Sequence, residues 1–363
     1  MTESPPELRT PTISFVIVAY ESGAELARTL PALQSELAAG DEVIVVDNGS
    51  KVSPRKVVTE CLPAATVIEM GRNAGFTAAT NRGAEASSGD LVLMLNPDAM
   101  PEPGFGDSIR KPFAARPDWG AWMALVACRI GGEKVVNSWG NPVHFTGIAW
   151  AGGHGRPLGE AGYSRAIPVA SGAALAVRRE VWEGVGGLPE EFFLYHEDID
   201  ISVRIQSAGY RIGLEVEAVV DHDYDFHSNS RKWFWLERNR LAMVIRNYPG
   251  RLLLLVTPAL LATELVLLAV SAKQGWFGAK LKGYRDLISW LPRLRRERAE
   301  IESERVITTR QFTDLLTPDL DSPLIPAFAR KGLVRGMLRT YWRLVLVAVG
   351  SGRRPRDTQA ERG

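Results

Sequence analysis

The chain has 363 residues, 45% of them hydrophobic, so it can bury a large core and an additional smaller region. Its 43 Lys and Arg residues nearly balance its 42 Asp and Glu residues, which gives no global field favouring nucleic acid. Two cysteines, Cys61 and Cys128, are too few for a disulfide framework or a thiolate metal site and suit a reducing cytoplasm. Residues 1–11 are polar and Pro-rich without an apolar signal core, so we expect a disordered tail and no export.

The first hundred residues alternate between strand and helix patterns. Ile13–Ala19 is a continuous apolar run typical of a parallel strand covered on both faces. Further strands are predicted at Glu42–Asp47, Thr66–Glu69 and Leu91–Leu95, with helices over 23–39 and 75–86 between them. This order predicts an α/β fold with a mostly parallel sheet in three α/β/α layers and right-handed crossovers.

The loops that follow these strands carry polar residues where ligands of open α/β sheets bind. Asp47 ends the second strand, where it could accept hydrogen bonds from a base or ribose, or could simply close an Asp-Asn-Gly-Ser turn. Arg72–Phe76, followed by Asn81, enters a helix whose N-terminus could bind phosphate. An ordinary Asn cap with glycines for packing explains that loop equally well.

Two acidic clusters carry the catalytic prediction. The strand Leu91–Leu95 ends in Asn96-Pro97-Asp98, and a second cluster, Glu197-Asp198, opens a helix far downstream. A carboxylate at a strand end and a second one at a helix start could supply a metal ligand and a facing base. Neither G-x-G-x-x-G nor a Walker A sequence follows the first strand, which disfavours dinucleotide oxidoreductases and P-loop enzymes.

The second half of the chain has a different sequence pattern. From Trp122 to Ser171 short strand-like pieces occur among glycines and aromatics, which indicates a mixed region whose loops cover the open edge of the sheet. Beyond Asp221 the chain reads as helical, and Leu252–Ala272 is almost wholly apolar. The segment from Lys273 to Glu300 contains eight basic and three acidic residues, and this excess of positive charge fits a phospholipid surface. The alternative is a soluble helical region whose apolar helix packs in a core.

These motifs together resemble the inverting family-2 glycosyltransferases, closest to the rhamnosyltransferase-type branch that builds bacterial cell-wall polysaccharides. The resemblance covers roughly residues 12–249 and rests on an ordered set of segments: VIVAYES, VIVVDNGS, MGRNAGFTAATNRGAE, LVLMLNPDA, SGAALAVRREVWEGVGGLPEEFFLYHEDIDISVRIQSAGY and a later His222. It implies a GT-A fold, a nucleotide-diphosphate sugar donor and a divalent cation, Mg²⁺ or Mn²⁺.

The resemblance also implies a role for each matching residue. Asp198 matches the catalytic base, and Asp98 and His222 match metal ligands, although a packed histidine after a buried strand is an equally good account of His222. Asn96 stands where the first Asp of the family's D-x-D motif often lies, so Asp98 would be the main carboxylate ligand. Residues implied to bind the donor are Tyr20, Glu21, Asp47, Asn73, Gly75, Phe76, Asn81, Asn96 and Asp98. Residues implied to shape the sugar and acceptor pocket are Ser171, Gly172 and Glu197.

The expected function is inverting sugar transfer, with dTDP-rhamnose favoured as donor and UDP-sugars next, to a glycan or polyprenyl-diphosphate-linked glycan. A silent sugar-binding or scaffold protein is the alternative, for which Asn96 is the one hint. The expected organisation is a glycosyltransferase domain over 12–249, a helical membrane-associating region over 250–350 and a disordered tail over 351–363. The basic flanks and Glu264 within the apolar segment predict that it lies in the cytoplasmic leaflet rather than spanning it.

Overall fold

The computed structural model describes residues 10–222, 232–321 and 332–350, which form two compact units. The first unit takes residues 10–141, 151–205 and 210–222, and the second takes 142–150, 206–209, 232–321 and 332–350. The predicted tails, 1–11 and 351–363, lie outside the described residues except for Thr10 and Pro11.

The first unit is built on one sheet of ten strands among the described residues. In chain order the strands are β1 (Ile13–Ala19), β2 (Glu42–Asp47), β3 (Thr66–Glu69), β4 (Leu91–Leu95), β5 (Ala99–Pro101), β6 (Trp119–Ile130), β7 (Glu133–Ser138), β8 (Arg165–Ile167), β9 (Ala174–Arg178) and β10 (Arg211–His222). Their order across the sheet is β3-β2-β1-β4-β9-β6-β10-β5, with β7 beside β6 and β8 beside β10.

Strand direction divides the sheet. Strands β3, β2, β1 and β4 pair in parallel, as predicted, with Ala19 opposite Asp47. Strand β9 runs antiparallel to both of its neighbours, β4 and β6, and β10 pairs in parallel with β6. Six strands therefore share one direction, while β5, β7, β8 and β9 oppose them, so the sheet is mixed. The change in sequence pattern after residue 122 indicated this mixed half of the sheet. However, β6 is one long strand rather than several short pieces.

Helices cover this sheet, as the apolar pattern of the sequence predicts. They are α1 (Gly23–Gln34), α2 (Arg55–Cys61), α3 (Phe76–Glu85), α4 (Phe105–Ala115), α5 (Arg179–Val185) and α6 (Glu197–Ser207). Every residue of β1 and β4 is buried, as expected of strands packed on both faces. Helix α1 buries Leu26, Leu30 and Leu33, three of the leucines whose spacing predicted it.

The second unit is helical. Its helices are α7 (Lys232–Asn247), α8 (Gly250–Gln274), α9 (Phe277–Glu304), α10 (Thr309–Thr313) and α11 (Gly332–Val349). The boundary expected at residue 249 is therefore too late, because α7 groups with the helices that follow it. Ion pairs explain this grouping: Arg238 and Arg246 of α7 contact Asp286 and Glu297 of α9 at 3.0 and 3.2 Å.

Candidate active site

The sequence-predicted residues of the first unit gather at one edge of the sheet. Strands β1, β2, β4 and β10 share a direction and end at this edge, whereas the antiparallel β9 begins there. Predicted site residues at or just beyond these strand ends are Tyr20, Glu21, Asp47, Asn96, Asp98, Ser171, Gly172 and His222. Such an edge is where open α/β sheets bind ligands.

The loops after β1 and β2 are tied together. Glu21 has φ of 56°, an uncommon conformation for a residue other than glycine, and its N–H donates to Ser50 Oγ at 3.0 Å. Its Oε1 accepts from Lys51 N at 2.8 Å. Asp47 is buried, and its Oδ1 accepts from Ser50 N at 3.0 Å, so the turn role considered for it is present. Tyr20 is half exposed beside them.

Asn48, which sequence reasoning did not single out, joins this turn to the loop after β3. Its Nδ2 donates to Asn73 Oδ1 at 3.1 Å, and its Oδ1 accepts from Ala74 N at 2.9 Å. Gly49 allows the approach, because it has φ of +79° and a Cβ there would lie 2.4 Å from the Arg72 carbonyl carbon. The loops after β1, β2 and β3 therefore form one continuous wall.

The N-terminus of α3 differs from its predicted role as a phosphate site. The N–H groups of Phe76 and Thr77 donate to the Phe193 carbonyl at 2.6 and 3.4 Å, and Gly75 N donates to Asn73 Oδ1 at 3.1 Å. The first amides of the helix thus have protein acceptors in place of a phosphate. Phe76 and Thr77 therefore hold the Phe193 loop, and the expectation that Gly75 and Phe76 flank the nucleotide and its phosphates stays a prediction.

Asn81 also serves a structural purpose. Its Nδ2 donates to the Leu188 carbonyl and its Oδ1 accepts from Leu188 N, both at 2.9 Å. This reciprocal pair fixes α3 to the segment before α6 and uses both ends of the amide. That Asn81 flanks the donor phosphates stays a prediction.

Three predicted residues converge at the end of β4. His222 Nε2 lies 3.2 Å from Asp98 Oδ1 and 3.3 Å from Asn96 Nδ2. Residue 222 is on the last position of β10, so the sheet brings together side chains that are more than a hundred positions apart. Among the described residues, no three His, Cys, Asp or Glu side chains form a complete metal site.

A cavity of about 290 Å³ opens beside Asp98. Its lining is mixed in charge and consists of Arg28, Thr29, Asp98, Met100, Arg129 and Asp221. Thr29 donates to the Pro97 carbonyl at 2.7 Å, which anchors the Asn96-Pro97-Asp98 turn to α1.

The second acidic cluster lies at the start of α6, after a strained approach. Phe193, Tyr195 and His196 all have positive φ, of 66°, 70° and 67°, within four residues. Such a concentration of uncommon backbone conformations is typical of functional sites. The segment delivers Glu197 and Asp198 to the first turn of α6, both of them buried from solvent to a large degree.

The environments of these two carboxyl groups distinguish them. Burial raises the pKa of Asp198 to about 6, and N–H groups of Ile199 and Gly172, at 2.8 and 3.3 Å, oppose that rise. Burial raises the pKa of Glu197 further, with the Asp198 charge adding to it. Glu197 Oε2 is buried without a hydrogen-bond partner in the described part of the chain. Burial therefore favours a proton on this carboxyl pair, and the hydrogen-bond donors around Asp198 favour the charged form of Asp198 over that of Glu197.

Asn141 is a further contact of Asp198 that sequence reasoning missed. Its Nδ2 donates to Asp198 Oδ2 at 3.2 Å, and its Oδ1 accepts from Ser138 Oγ at 2.9 Å. No motif marked this residue, because it follows β7 in the glycine-rich region and meets Asp198 across 57 positions.

The segment before β9 lies between Asp198 and the Asn96–Asp98 turn. Gly172 N donates to Asp198, and a Cβ at residue 172 would lie 3.4 Å from Asp198 Cβ. The next carbonyl, that of Ala173, accepts from Asn96 N at 2.9 Å. Ser171 Oγ accepts from Ala173 N at 3.4 Å and so stabilises this turn. Asp198 and the Asn96–Asp98 turn therefore flank one short strip of backbone.

Replacing Asn141 by Ala should move the pH dependence of activity. Loss of a donor to the charged carboxylate raises the pKa of Asp198, so activity, which needs the ionised form, should rise at higher pH than in the wild type. We expect the midpoint of kcat/KM, near 6 in the wild type, to rise by about one unit.

Ser138→Ala, which removes the hydroxyl that donates to Asn141 Oδ1 and accepts from Gly140 N, is the matched control and should give a smaller shift in the same direction. A lower rate at every pH with an unchanged midpoint would show that Asn141 supports the fold without tuning the carboxylate.

The sheet order and the shared strand edge match the GT-A fold. The crystal structure of GalNAc-T7 with UDP, GalNAc and Mn²⁺ has a similar fold, with a TM-score of 0.56 at 16% identity. The likeness covers 67% of this chain and 49% of that one.

The family model of glycosyl transferase family 2 matches residues 14–185 of this chain. The chain is similar to an N-acetylglucosaminyl-diphospho-decaprenol L-rhamnosyltransferase of Mycobacterium tuberculosis, with 26% identity over 61% of this chain and 79% of the relative. It is also similar to the O-antigen biosynthesis protein RfbC of Myxococcus xanthus, with 29% identity over 56% of this chain and 16% of the relative. These relatives agree with the rhamnosyltransferase-type resemblance of the motifs.

Proposed function

We propose that this glycosyltransferase transfers a sugar, with inversion, from a nucleotide-diphosphate donor to a glycan or polyprenyl-diphosphate-linked glycan in cell-envelope polysaccharide synthesis. The observation that carries the proposal is the Asp198 carboxyl group, held by three hydrogen-bond donors on one side of residues 172–173, with Asn96 and Asp98 on the other.

Asp198 acts as the general base. As the acceptor oxygen attacks the anomeric carbon, its proton passes to the Asp198 carboxylate, while the bond to the nucleoside diphosphate breaks on the opposite face. A base with a pKa near 6 is largely ionised at neutral pH and still accepts a proton readily. Because Asp198 serves as base and no carboxylate nucleophile is required, displacement is direct and inverts the anomeric centre.

Asp98 and His222 fit a divalent cation, Mg²⁺ or Mn²⁺. Adjacent ligands of an octahedral ion at about 2.1 Å lie roughly 3 Å apart, close to the 3.2 Å between Asp98 Oδ1 and His222 Nε2. With few protein ligands, the donor diphosphate and water would complete the coordination, as is usual for Mg²⁺. A bound cation would stabilise the negative charge of the leaving nucleoside diphosphate.

The donor assignment rests on the wall formed by the loops after β1, β2 and β3. Tyr20, Glu21, Asp47 and Asn73 present aromatic and hydrogen-bonding groups there, which suit a base and ribose. dTDP-rhamnose is the favoured donor, because the mycobacterial relative is named as an L-rhamnosyltransferase, and UDP-sugars follow. That relative's name also includes a diphospho-decaprenol, which supports a lipid-linked acceptor and work at the cytoplasmic leaflet.

Donor binding provides the test. Purified full-length protein should gain thermal stability from dTDP-rhamnose more than from UDP-sugars, and more with Mg²⁺ or Mn²⁺ than without. Ligand at 100 times Kd stabilises the folded state by about 2.7 kcal/mol, which is readily measured as a rise in Tm.

The Asp47→Ala protein is the matched variant, and the readout is its ligand-induced change in Tm rather than its Tm alone. We expect this change to shrink markedly, because the wall loses its buried carboxylate. Absence of a shift with every nucleotide sugar would contradict the proposed function.

A further inference from the structure

Helix α8 presents a continuous apolar face to the outside of its unit. Among the described residues it is the one helix long and apolar enough to cross a membrane by length and composition alone. It packs inward through Leu252, Val256 and Leu260, and the opposite face carries Leu254, Leu261 and Leu265. These three leucines are between 62% and 75% exposed, so the helix is not the buried core helix considered as an alternative.

Glu264, the one acidic residue of α8, does not interrupt that face. Its carboxylate contacts Lys280 Nζ at 2.9 Å, Tyr284 Oη at 2.5 Å and the Arg240 guanidinium. Ion pairs with Arg240 and Lys280 hold its pKa well below the usual range despite burial, to about 2. The charge is therefore neutralised on the inward side, and the outward side remains apolar.

Helix α11, which the sequence analysis did not single out, likewise has one buried face and one exposed apolar face. It packs inward through Trp342, Val345 and Val349. At 3.6 residues per turn its opposite face carries a stripe of four apolar side chains that are 64–79% exposed: Leu333, Met337, Leu344 and Val347. The helix contains three arginines and no acidic residue.

The two helices lie side by side and antiparallel. Tyr341 Oη donates to the Leu255 carbonyl at 2.5 Å, and Arg251 donates to the Ala348 carbonyl at 2.5 Å. Residues rising in number along α8 thus meet residues falling in number along α11. We call the outward apolar stripes of this helix pair, taken together, the α8–α11 face.

We propose that the α8–α11 face docks into one leaflet of an anionic lipid bilayer. Charge decides the occupant: Arg343 of α11 is exposed beside the apolar stripe, whereas Arg335 and Arg339 pair with Asp319 and Asp321 away from it. Anionic headgroups complement this pattern, whereas a second copy of the same face would bring like charges together. The proposal extends the proposed function, on which it rests for a membrane-bound acceptor, by adding α11 as a lipid-binding helix and by making α8 interfacial.

Vesicle flotation of the full-length protein, without donor or acceptor, tests the proposal. The wild type should float with phosphatidylcholine vesicles containing phosphatidylglycerol. The double variant Met337→Gln, Leu344→Gln should bind at least about tenfold more weakly, because two exposed side chains no longer enter the acyl region. Arg343→Gln should bind anionic vesicles about fivefold more weakly at low salt and leave binding to pure phosphatidylcholine unchanged.

Val52→Gln and Tyr163→Gln are matched controls, since each removes an exposed apolar side chain of the first unit, and they should bind as the wild type does. Unchanged flotation of the double variant would overturn the proposal, as would a concentration-dependent dimer that this variant dissociates. Because flotation needs no sugar, a protein that binds vesicles but transfers nothing would refute the proposed function and leave the α8–α11 face standing.

Discussion

Chelation of divalent cations is expected to abolish sugar transfer, and Asp98→Ala should lower kcat/KM by about three orders of magnitude. Asp98 is the only carboxylate of the Asn96-Pro97-Asp98 turn and lies 3.2 Å from His222, so its loss would remove the main charged ligand. Stabilisation of a leaving diphosphate by a cation contributes several kcal/mol, and each 1.36 kcal/mol corresponds to a factor of ten.

Two readouts make this prediction specific. In the wild type, Mn²⁺ should tighten the binding of nucleoside diphosphate, and in Asp98→Ala that enhancement should disappear. Asp118→Ala is the matched control. Asp118 precedes β6, so it lies at the edge of the sheet opposite the candidate site, and it pairs with Arg211 on the surface. Full activity in excess EDTA would assign charge stabilisation to protein side chains alone, such as His222 or a nearby arginine.

Asp198→Asn should retain donor binding and lose transfer by roughly 100-fold or more, the usual scale for loss of a general base. Asn can keep a hydrogen bond to the same backbone amides but cannot take the proton of the acceptor hydroxyl. The rise of wild-type activity near pH 6 should also vanish in this variant. Calorimetry with the donor and an end-point transfer assay would measure the two effects separately.

The parts of this fold that could be predicted from sequence are those whose signal is local. Continuous apolar runs located β1, β2 and β4 with their bounds, since a strand buried on both faces needs no alternation. The polar residue after each run then marked the ligand edge, because parallel strands end together. This reasoning placed Asp47 and Asp98 on one edge before any contact was known, whereas His222 was expected there only from the family resemblance.

Contacts between distant segments carry no comparable signal. The Phe193 carbonyl occupies the start of α3, and the Leu188 backbone engages the Asn81 amide, across more than a hundred positions. Asn141 meets Asp198 in the same way, through the antiparallel half of the sheet. By its charge alone Glu264 opposed a membrane-spanning segment, and only its pairing with Arg240 and Lys280 shows which side of α8 it faces.

The most direct test of the account compares single-turnover transfer by Asp198→Asn and Glu197→Gln, each saturated with donor, near neutral pH. Glu197 is already protonated there, so Glu197→Gln should remain within about tenfold of the wild type, whereas Asp198→Asn should fall by 100-fold or more. A large loss in Glu197→Gln with near-normal transfer by Asp198→Asn would contradict the account and identify Glu197 as the base.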